Sequence, residues 1–593
     1  MRALPFFLLV VLGGCGPEFV EGPEPGTLVL VHTADLHSHL LPYTERIGAF
    51  DARRGLGVEG ELAEVGGLAR LATLLSEVRA GPVPTLWIDS GDLVEGTRSF
   101  LEHAGRLELE LVSRLGLDAH VPGNHDLSDG AAALARYASS AEFPVLGSNA
   151  LPSGEGERRA GFAPFALLRA GPFSVAVIGV LPRSGDGDSV SHRERDAAEA
   201  VQAAIDWVRG VSDVVVLATH VGVSADVDLV RNTTGADVVL GGHDHRVLEP
   251  PLWIEDCAGT LALARGCVPR KVPVVHSGAY GKYLGVLELR LDRASAVRGA
   301  AADVWDGLEV AAALYTPLTV TSAVEEAPWV LALLEEERRR ELAALPLAFA
   351  PVPVERFASN GADSPLGNWV AGAVLRATSA TLAVLNTSTL RADLPSGLVD
   401  EAALVRAVPF EDRIVEAWVT TEDLARLLER AGVTGDGGAC ESRVQIAGAR
   451  LHVDCGARER SWLRDAEGRC LAGDCDAPRG WLHAIATTDY VLDARNGPLA
   501  AARPLGSVAR GSLRAALGAH ARRARVCDAE ARAACTLLLE ERLEARCAEP
   551  GLELECSPEA RRARAVALCD TLPCLDALAG ASSDGRISIA SGG

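Results

Sequence analysis

The sequence predicts an α/β chain of more than one domain, and three observations predict it. At 593 residues the chain is too long for a single core, and 48% hydrophobic content is ample for several. Five short apolar runs in the first half each break off into a polar residue able to hold a metal, the pattern of buried strands ending in functional loops. Toward the C-terminus, cysteines are spread through Ala-, Arg-, Glu- and Leu-rich sequence at helical spacing, which predicts a helical appendage.

Taken in order, the chain opens on an address. Arg2 gives a minimal positive region, Leu4 to Leu12 a short apolar one, and Leu12-Gly13-Gly14-Cys15 resembles a lipobox. Residues 1–15 therefore read as a lipoprotein signal peptide, with Cys15 the lipidated residue, and 16–26, rich in Pro, Gly and Glu, as a flexible tether. Nothing later approaches the ~20 apolar residues of a spanning helix. The expected location is outside the cytoplasm, in the periplasm or on the cell surface, held by lipid to a membrane, the outer membrane by preference.

The strand ends come next. Val29-Leu30-Val31 leads to Asp35 and His37, Leu86-Trp87-Ile88 to Asp92, and His120-Val121-Pro122 to Asn124 and His125. Val214 to Leu217 leads to His220, and Val238-Val239-Leu240 to His243 and His245. In α/β sheets ligands sit in the crevice beyond the carboxyl ends of the strands, so these donors converge on one edge. The most economical partition gives one metal Asp35, His37, Asp92 and His245, and a second Asp92, Asn124, His220 and His243. Asp92, following Gly91, is the bridging candidate. Mixed oxygen and imidazole donors suit Zn, Mn, Fe or Co better than Mg or Ca. Two such ions roughly 3.5–4 Å apart clamp the attacking and leaving oxygens of a phosphoryl transfer and make hydroxide available at neutral pH. His125 is left over, and reads as a group that stabilises developing charge or protonates the leaving oxygen. His32 and His276, in or beside strands, read as core histidines.

With these motifs in order (HTADLH, DSGD, GNHD, TH, GGHDH), the chain resembles the bacterial and animal 5'-nucleotidase family. The resemblance implies a calcineurin-like metallophosphoesterase domain over 27–310, a four-layer β-sandwich flanked by helices, closing near Ser277 to Gly285. It also implies the ligand partition above and a catalytic role for His125. The family usually places an acidic residue three positions after this histidine; here that position is Ser128. Either Asp129 substitutes from a shifted loop, or His125 is held less firmly.

The resemblance continues into a smaller α/β substrate-binding domain over 346–510. Asp363 to Asn368 looks like the opening helix signature of that domain, Asn386 to Arg391 like a substrate loop, and Pro409-Phe410 like a P-F turn. It implies that Arg356 and Arg391 contact an anionic or ribose-bearing substrate, that Phe410 and Tyr490 sandwich a base, and that Asn386 hydrogen-bonds near it. Asn496 stands where an aspartate normally grips the ribose hydroxyls. An amide there accepts a hydrogen bond without charge. Between the domains, 311–345 reads as a linker helix, with Val330, Leu331, Leu333 and Leu334 on one face and Glu335 to Arg340 solvated.

Removing Cys15 from thirteen cysteines leaves twelve, an even number that favours disulfides in an exported protein. Six of them fall in 511–579, read as a Cys-rich helical appendage; 580–593, mostly small and polar, reads as a disordered tail. The net charge of −23 argues against nucleic-acid polymers as partners, whose backbones need basic surfaces. The expected activity is removal of phosphate from nucleotides for salvage by an exported two-metal phosphoesterase. The alternatives are a 2',3'-cyclic-nucleotide phosphodiesterase, a UDP-sugar hydrolase or a sulfur-oxidation hydrolase on the same centre. From another class, the alternative is a non-catalytic binding lipoprotein.

Overall fold

The structure is a computed structural model that describes residues 25–128, 131–151, 162–182, 193–194, 196–293, 308–356, 362–434, 440–493, 499, 504–548, 556–575 and 584–590. Cys15, Asp129 and Asn496 lie outside the described residues, as do the signal peptide and all but the last two residues of the tether.

Two sheets face each other in the first domain. One runs Leu308–Thr319, Tyr283–Arg293, Gly26–Thr33, Thr85–Asp89, Ala119–His120; the other Leu252–Glu255, Lys271–His276, Val238–Gly241, Val214–Thr219, Phe173–Val180, Phe165–Ala170. Between them Leu28, Leu30, Leu86 and Ile88 of one sheet meet Val175, Val177, Val214 and Val216 of the other, all fully or nearly fully buried. Alternate residues of the same strands point outward: Val29, Val31 and Trp87 pack under the helix Leu68–Arg79, and Ala176, Ile178 and Val215 under the helix Ala197–Val208. Strands buried on both faces explain why these runs read as continuous apolar stretches, and they give the expected four layers.

The expected boundary at residue 310 falls inside the strand Leu308–Thr319. That strand pairs antiparallel with Tyr283–Arg293 and sends Leu308 and Tyr315 into the core between the sheets. The linker helix is correspondingly shorter, Pro328–Ala343. It buries Val330 and Leu334 against the first domain, and its Arg340 pairs with Glu102 there.

The second domain is built on a five-stranded sheet in the order Val444–Ala447, Leu382–Asn386, Leu482–Thr488, Arg413–Thr420, Gly506–Ser512. The helix Leu513–Ala521, expected in the appendage, belongs to this domain: Leu513, Leu517 and Ala521 enter the core beneath Pro365–Arg376. The appendage proper is a helical hairpin, Ala529–Ala548 and Pro558–Cys569, stapled by Cys527–Cys574, Cys535–Cys569 and Cys547–Cys556. Arg542 from it reaches both the Glu341 carbonyl at the end of the linker helix and the Asp400 carboxylate, each at 2.8 Å. The remaining cystines are Cys257–Cys267, Cys440–Cys455 and Cys470–Cys475, so all twelve cysteines after Cys15 are paired.

One expectation for the tail is corrected. Within 580–593, Ile587–Ile589 is a strand, parallel to Ala449–Val453 with Leu451 opposite Ile587. Its alternation places Ile587, 2% exposed, in the second domain's core, a signal too short to stand out against Ser- and Gly-rich flanks. Among the described residues no helix is long and apolar enough to cross a membrane.

Candidate metal centre

Parallel register brings the strand ends level. Thr33 lies beside Asp89 and Asp89 beside His120 in the first sheet; Thr219 lies beside Val180 and Gly241, and Gly241 beside His276, in the second. The loops leaving these ends bend sharply. Asp35, His37, Asp92, His243 and His245 have φ of 53°, 48°, 53°, 91° and 58°, left-handed values costing of order 1–3 kcal/mol each at non-glycine residues. Such strain persists only where surrounding contacts over-determine it. Here Asp89 accepts from Thr33 Oγ1 at 2.7 Å, from the Gly91 amide at 3.1 Å and from His120 Nδ1 at 2.8 Å. Asp126, fully buried, accepts from the amides of Gly123 and Val94 at 2.8 and 3.1 Å. Gly123 admits no side chain, because its Cβ would stand 2.1 Å from Asp92 Oδ1.

Among the described residues four groups of donors come together: Asp35 with His37 and His245, Asp92 with His220 and His243, His37 with Asp92 and His125, and, away from the strand ends, Glu102 with His103 and Glu337; the first two match the expected partition. Asn124 joins the second through its Oδ1, 3.1 Å from His243 Nδ1. Asp92 Oδ2 faces both, 3.1 Å from His220 Nε2 and 3.7 Å from His37 Nε2.

The hydrogen bonds fix what the ring nitrogens can do. His37 Nδ1 lies 2.9 Å from the Glu95 carbonyl and His220 Nδ1 2.6 Å from the Ser90 carbonyl. A carbonyl only accepts, so both rings carry a proton on Nδ1 and turn Nε2 inward. His37 Nε2 then points at His245 Nε2, 3.1 Å away, and His220 Nε2 lies buried 3.1 Å from Asp92 Oδ2, where Asp92 outweighs burial and raises the imidazole to about 10. Two imidazole nitrogens face to face, and a third against a carboxylate, mark positions in a buried site that a cation would fill in place of protons. The donor set fits divalent transition metals.

Charge follows the same logic. Burial pushes Asp35 up to about 8 against the pull of His220. Burial also opposes the charge on Asp92, yet His220 first and His125 after it hold it well below the carboxylate range. Burial drives His37 and His245 well below the imidazole range, which leaves them neutral as ligands must be.

His125 stands beside the donors without belonging to either group of the partition. Its amide donates to Asp92 Oδ1 at 2.9 Å, and its Nε2 lies 4.0 Å from Asp92 Oδ2. Its Nδ1 lies 3.0 Å from Glu95 Oε2, and the Ser128 hydroxyl donates to the same oxygen at 3.1 Å. Burial works against charge on His125, and Asp92 and Glu95 outweigh it, so its pKa is raised. Glu95 escaped the sequence reading. Its only local signal was an acid three positions after Asp92.

The second domain reaches this histidine. Arg391 Nη2 is 3.4 Å from His125 Nε2, the Phe410 ring stacks on His125 at 5.6 Å, and the Arg391 guanidinium lies 5.3 Å from the Phe410 centroid. Arg356 donates to the Arg391 carbonyl, which holds the two arginines together. A cleft of about 400 Å³ between the domains is lined by His37, Glu95 and His125 from one side and Arg356 and Arg391 from the other. Tyr490 is 40% exposed on the short helix Asp489–Asp493, outside the cleft lining. Asn386 ends its strand in the expected place, but its amide is engaged in its own loop, donating to Ser388 Oγ at 2.6 Å and accepting from Thr389 Oγ1.

The segment that carries the strand-end loops and the donor set, residues 28–247, matches the calcineurin-like phosphoesterase family. Residues 346–476 match the 5'-nucleotidase C-terminal domain. Two family models thus match separate segments of the chain, and its relatives include proteins named 5'-nucleotidase. It is similar to the snake venom 5'-nucleotidase of Gloydius brevicauda, 32% identical over 279 residues, 45% of this chain and 45% of that protein. The human 5'-nucleotidase is 29% identical over 304 residues, 49% of this chain and 50% of that one. The chain thus spans about half the length of the curated relatives it matches. In fold it resembles the 5'-nucleotidase precursor of Thermus thermophilus, with a TM-score of 0.70 and 24% identity, covering 83% of this chain and 96% of that one.

Proposed function

We propose that the chain is an exported two-metal phosphoesterase that hydrolyses nucleotide phosphate esters. The observation that carries this reading is the meeting of two carboxylate and imidazole groups at Asp92, with ring nitrogens turned toward one another. In it, Asp35, His37, Asp92 and His245 hold one ion, and Asp92, Asn124, His220 and His243 the other. Divalent ions bound there supply Lewis acidity and lower the pKa of water, which is chemistry the side chains alone lack.

The chain's own groups do the rest. Arg391 and Arg356, held together at the cleft, bind the anionic phosphate and pull its oxygens toward the centre. His125, oriented through Nδ1, presents Nε2 to the cleft and steadies charge or passes a proton to the leaving oxygen. Phe410 offers an aromatic face beside Arg391, and Tyr490 a second; flat bases stack on such faces without regard to identity. The six cystines fit an oxidising compartment, which supports export.

A phosphate-release screen over nucleoside monophosphates, 2',3'-cyclic nucleotides and nucleotide sugars, with Mn or Zn supplied, tests the assignment. Monophosphates are expected to give the highest kcat/KM, and a chelator to abolish release. Preference for a cyclic or sugar nucleotide would replace the substrate and keep the centre; no release from any would sink the enzymatic reading. Lipid attachment at Cys15 belongs to the same proposal. An incorporated acyl label should vanish in Cys15→Ala, and an unlabelled wild-type protein in the aqueous phase would refute it.

A further inference from the structure

We propose that Glu95 is the positioning residue of the centre, its carboxylate fixing the ring of His125 and its carbonyl the ring of His37. The proposal rests on the reading of His125 given above.

Glu95 makes both contacts at once. Its Oε2 lies 3.0 Å from His125 Nδ1, and its carbonyl oxygen 2.9 Å from His37 Nδ1. A carboxylate opposite Nδ1 places that ring's proton there and frees Nε2, which faces Arg391 Nη2 at 3.4 Å. The same residue thereby sets a proton-handling imidazole and a metal-facing one, on separate loops of the centre.

The loop that carries it is built for the purpose. Glu95 sits at φ 68°, a left-handed value that turns its carbonyl to His37 and its side chain to His125. Gly96 follows at φ 153°, and a Cβ there would lie 2.5 Å from the His37 carbonyl oxygen, so the backbone is pressed against that residue. Thr97 Oγ1 donates to the Ser38 carbonyl at 2.9 Å, which closes the loop onto the Asp35–His37 segment.

Ser128 completes the arrangement. Its hydroxyl donates to Glu95 Oε2 at 3.1 Å and holds the carboxylate in place. The side chain of Glu95 is only 12% exposed, so the charge-assisted contact is poorly screened. An acid supplied from the Asp92 loop replaces one supplied from the His125 loop itself, where this chain has serine. Orientation of His125 is thereby tied to the segment that carries the bridging carboxylate.

The test uses the full chain loaded with metal and a small aryl phosphate. Glu95→Gln keeps the shape and removes the charge. It is expected to lower kcat about 10- to 100-fold with KM within about threefold of wild type. Metal content by elemental analysis and the thermal unfolding midpoint should stay at wild-type values. Adding Ser128→Asp to Glu95→Gln returns a carboxylate to the same ring from the opposite loop, and should recover most of the lost kcat. A merely structural role would not be rescued by moving the charge. A kcat within twofold of wild type in Glu95→Gln overturns the proposal. So does a loss that tracks loss of metal or of stability, or a loss in Asp129→Asn without one in Glu95→Gln. His125→Ala separates the two readings. If it leaves kcat unchanged, the role of His125 fails; if it lowers kcat while Glu95→Gln does not, only the role of Glu95 fails.

Discussion

Asp92→Ala is expected to leave the chain with close to no bound transition metal, the largest effect of any single substitution in the centre. The other proposed ligands each serve one donor group; Asp92 Oδ2 faces both, at 3.1 Å from His220 Nε2 and 3.7 Å from His37 Nε2. Removing it leaves the inward-facing imidazoles with one carboxylate, Asp35, whose charge burial opposes. Neither half-site then carries enough negative charge to hold a dication against dehydration. Because metal Lewis acidity is worth several kcal/mol of barrier, phosphate release should fall by roughly three orders of magnitude or more. Elemental analysis of desalted protein checks the first claim, with two ions per wild-type chain as reference. Two ions per chain in the variant would refute the assignment of Asp92.

His125→Ala is expected to lower kcat by about 10²- to 10⁴-fold on a nucleotide and on a small aryl phosphate alike, with nucleotide affinity largely intact. Loss of a base-stacking aromatic should do the reverse, costing about 1–3 kcal/mol, or roughly 5- to 150-fold in nucleotide affinity, and sparing the aryl phosphate. Tyr490→Ala is the cleaner probe of recognition. Phe410 also backs His125 at 5.6 Å and Arg391 at 5.3 Å, so its removal disturbs turnover as well. Steady-state kinetics of the three variants on both substrates decides the matter. Equal losses on both substrates for Tyr490→Ala would make that residue packing and remove one support of the nucleotide assignment.

The convergence of these side chains was legible because each follows a short apolar run, and parallel register then levels the ends of the strands. The ring tautomers were not. They depend on the Glu95 and Ser90 carbonyls, and no side-chain pattern reports where a backbone oxygen points. Glu95 itself is 30 positions from His125 and reaches it only through a left-handed turn. The domain edges slipped for a related reason. The strand Leu308–Thr319 alternates too loosely to mark itself, and Leu513–Ala521 shares its Ala- and Leu-rich composition with the appendage beyond it. For Asn386 the position was legible and the hydrogen bonds were not, since Ser388 and Thr389, in a loop where the resemblance leads one to expect glycines, supply hydroxyls that glycine lacks.

The cystines divide the molecule in a way that bears on its mechanics. Each closes within one unit: one in the first domain, two in the second, three in the appendage, over separations of 10, 15, 5, 47, 34 and 9 residues. None crosses the cleft. The bonds therefore shrink the unfolded ensemble of each unit and leave the two halves without a disulfide between them. Non-covalent contacts join the halves at the cleft, among them those of Arg391 and Phe410 with His125 and the Arg46–Glu355 ion pair, so a reductant should soften each half before it loosens the contacts between them.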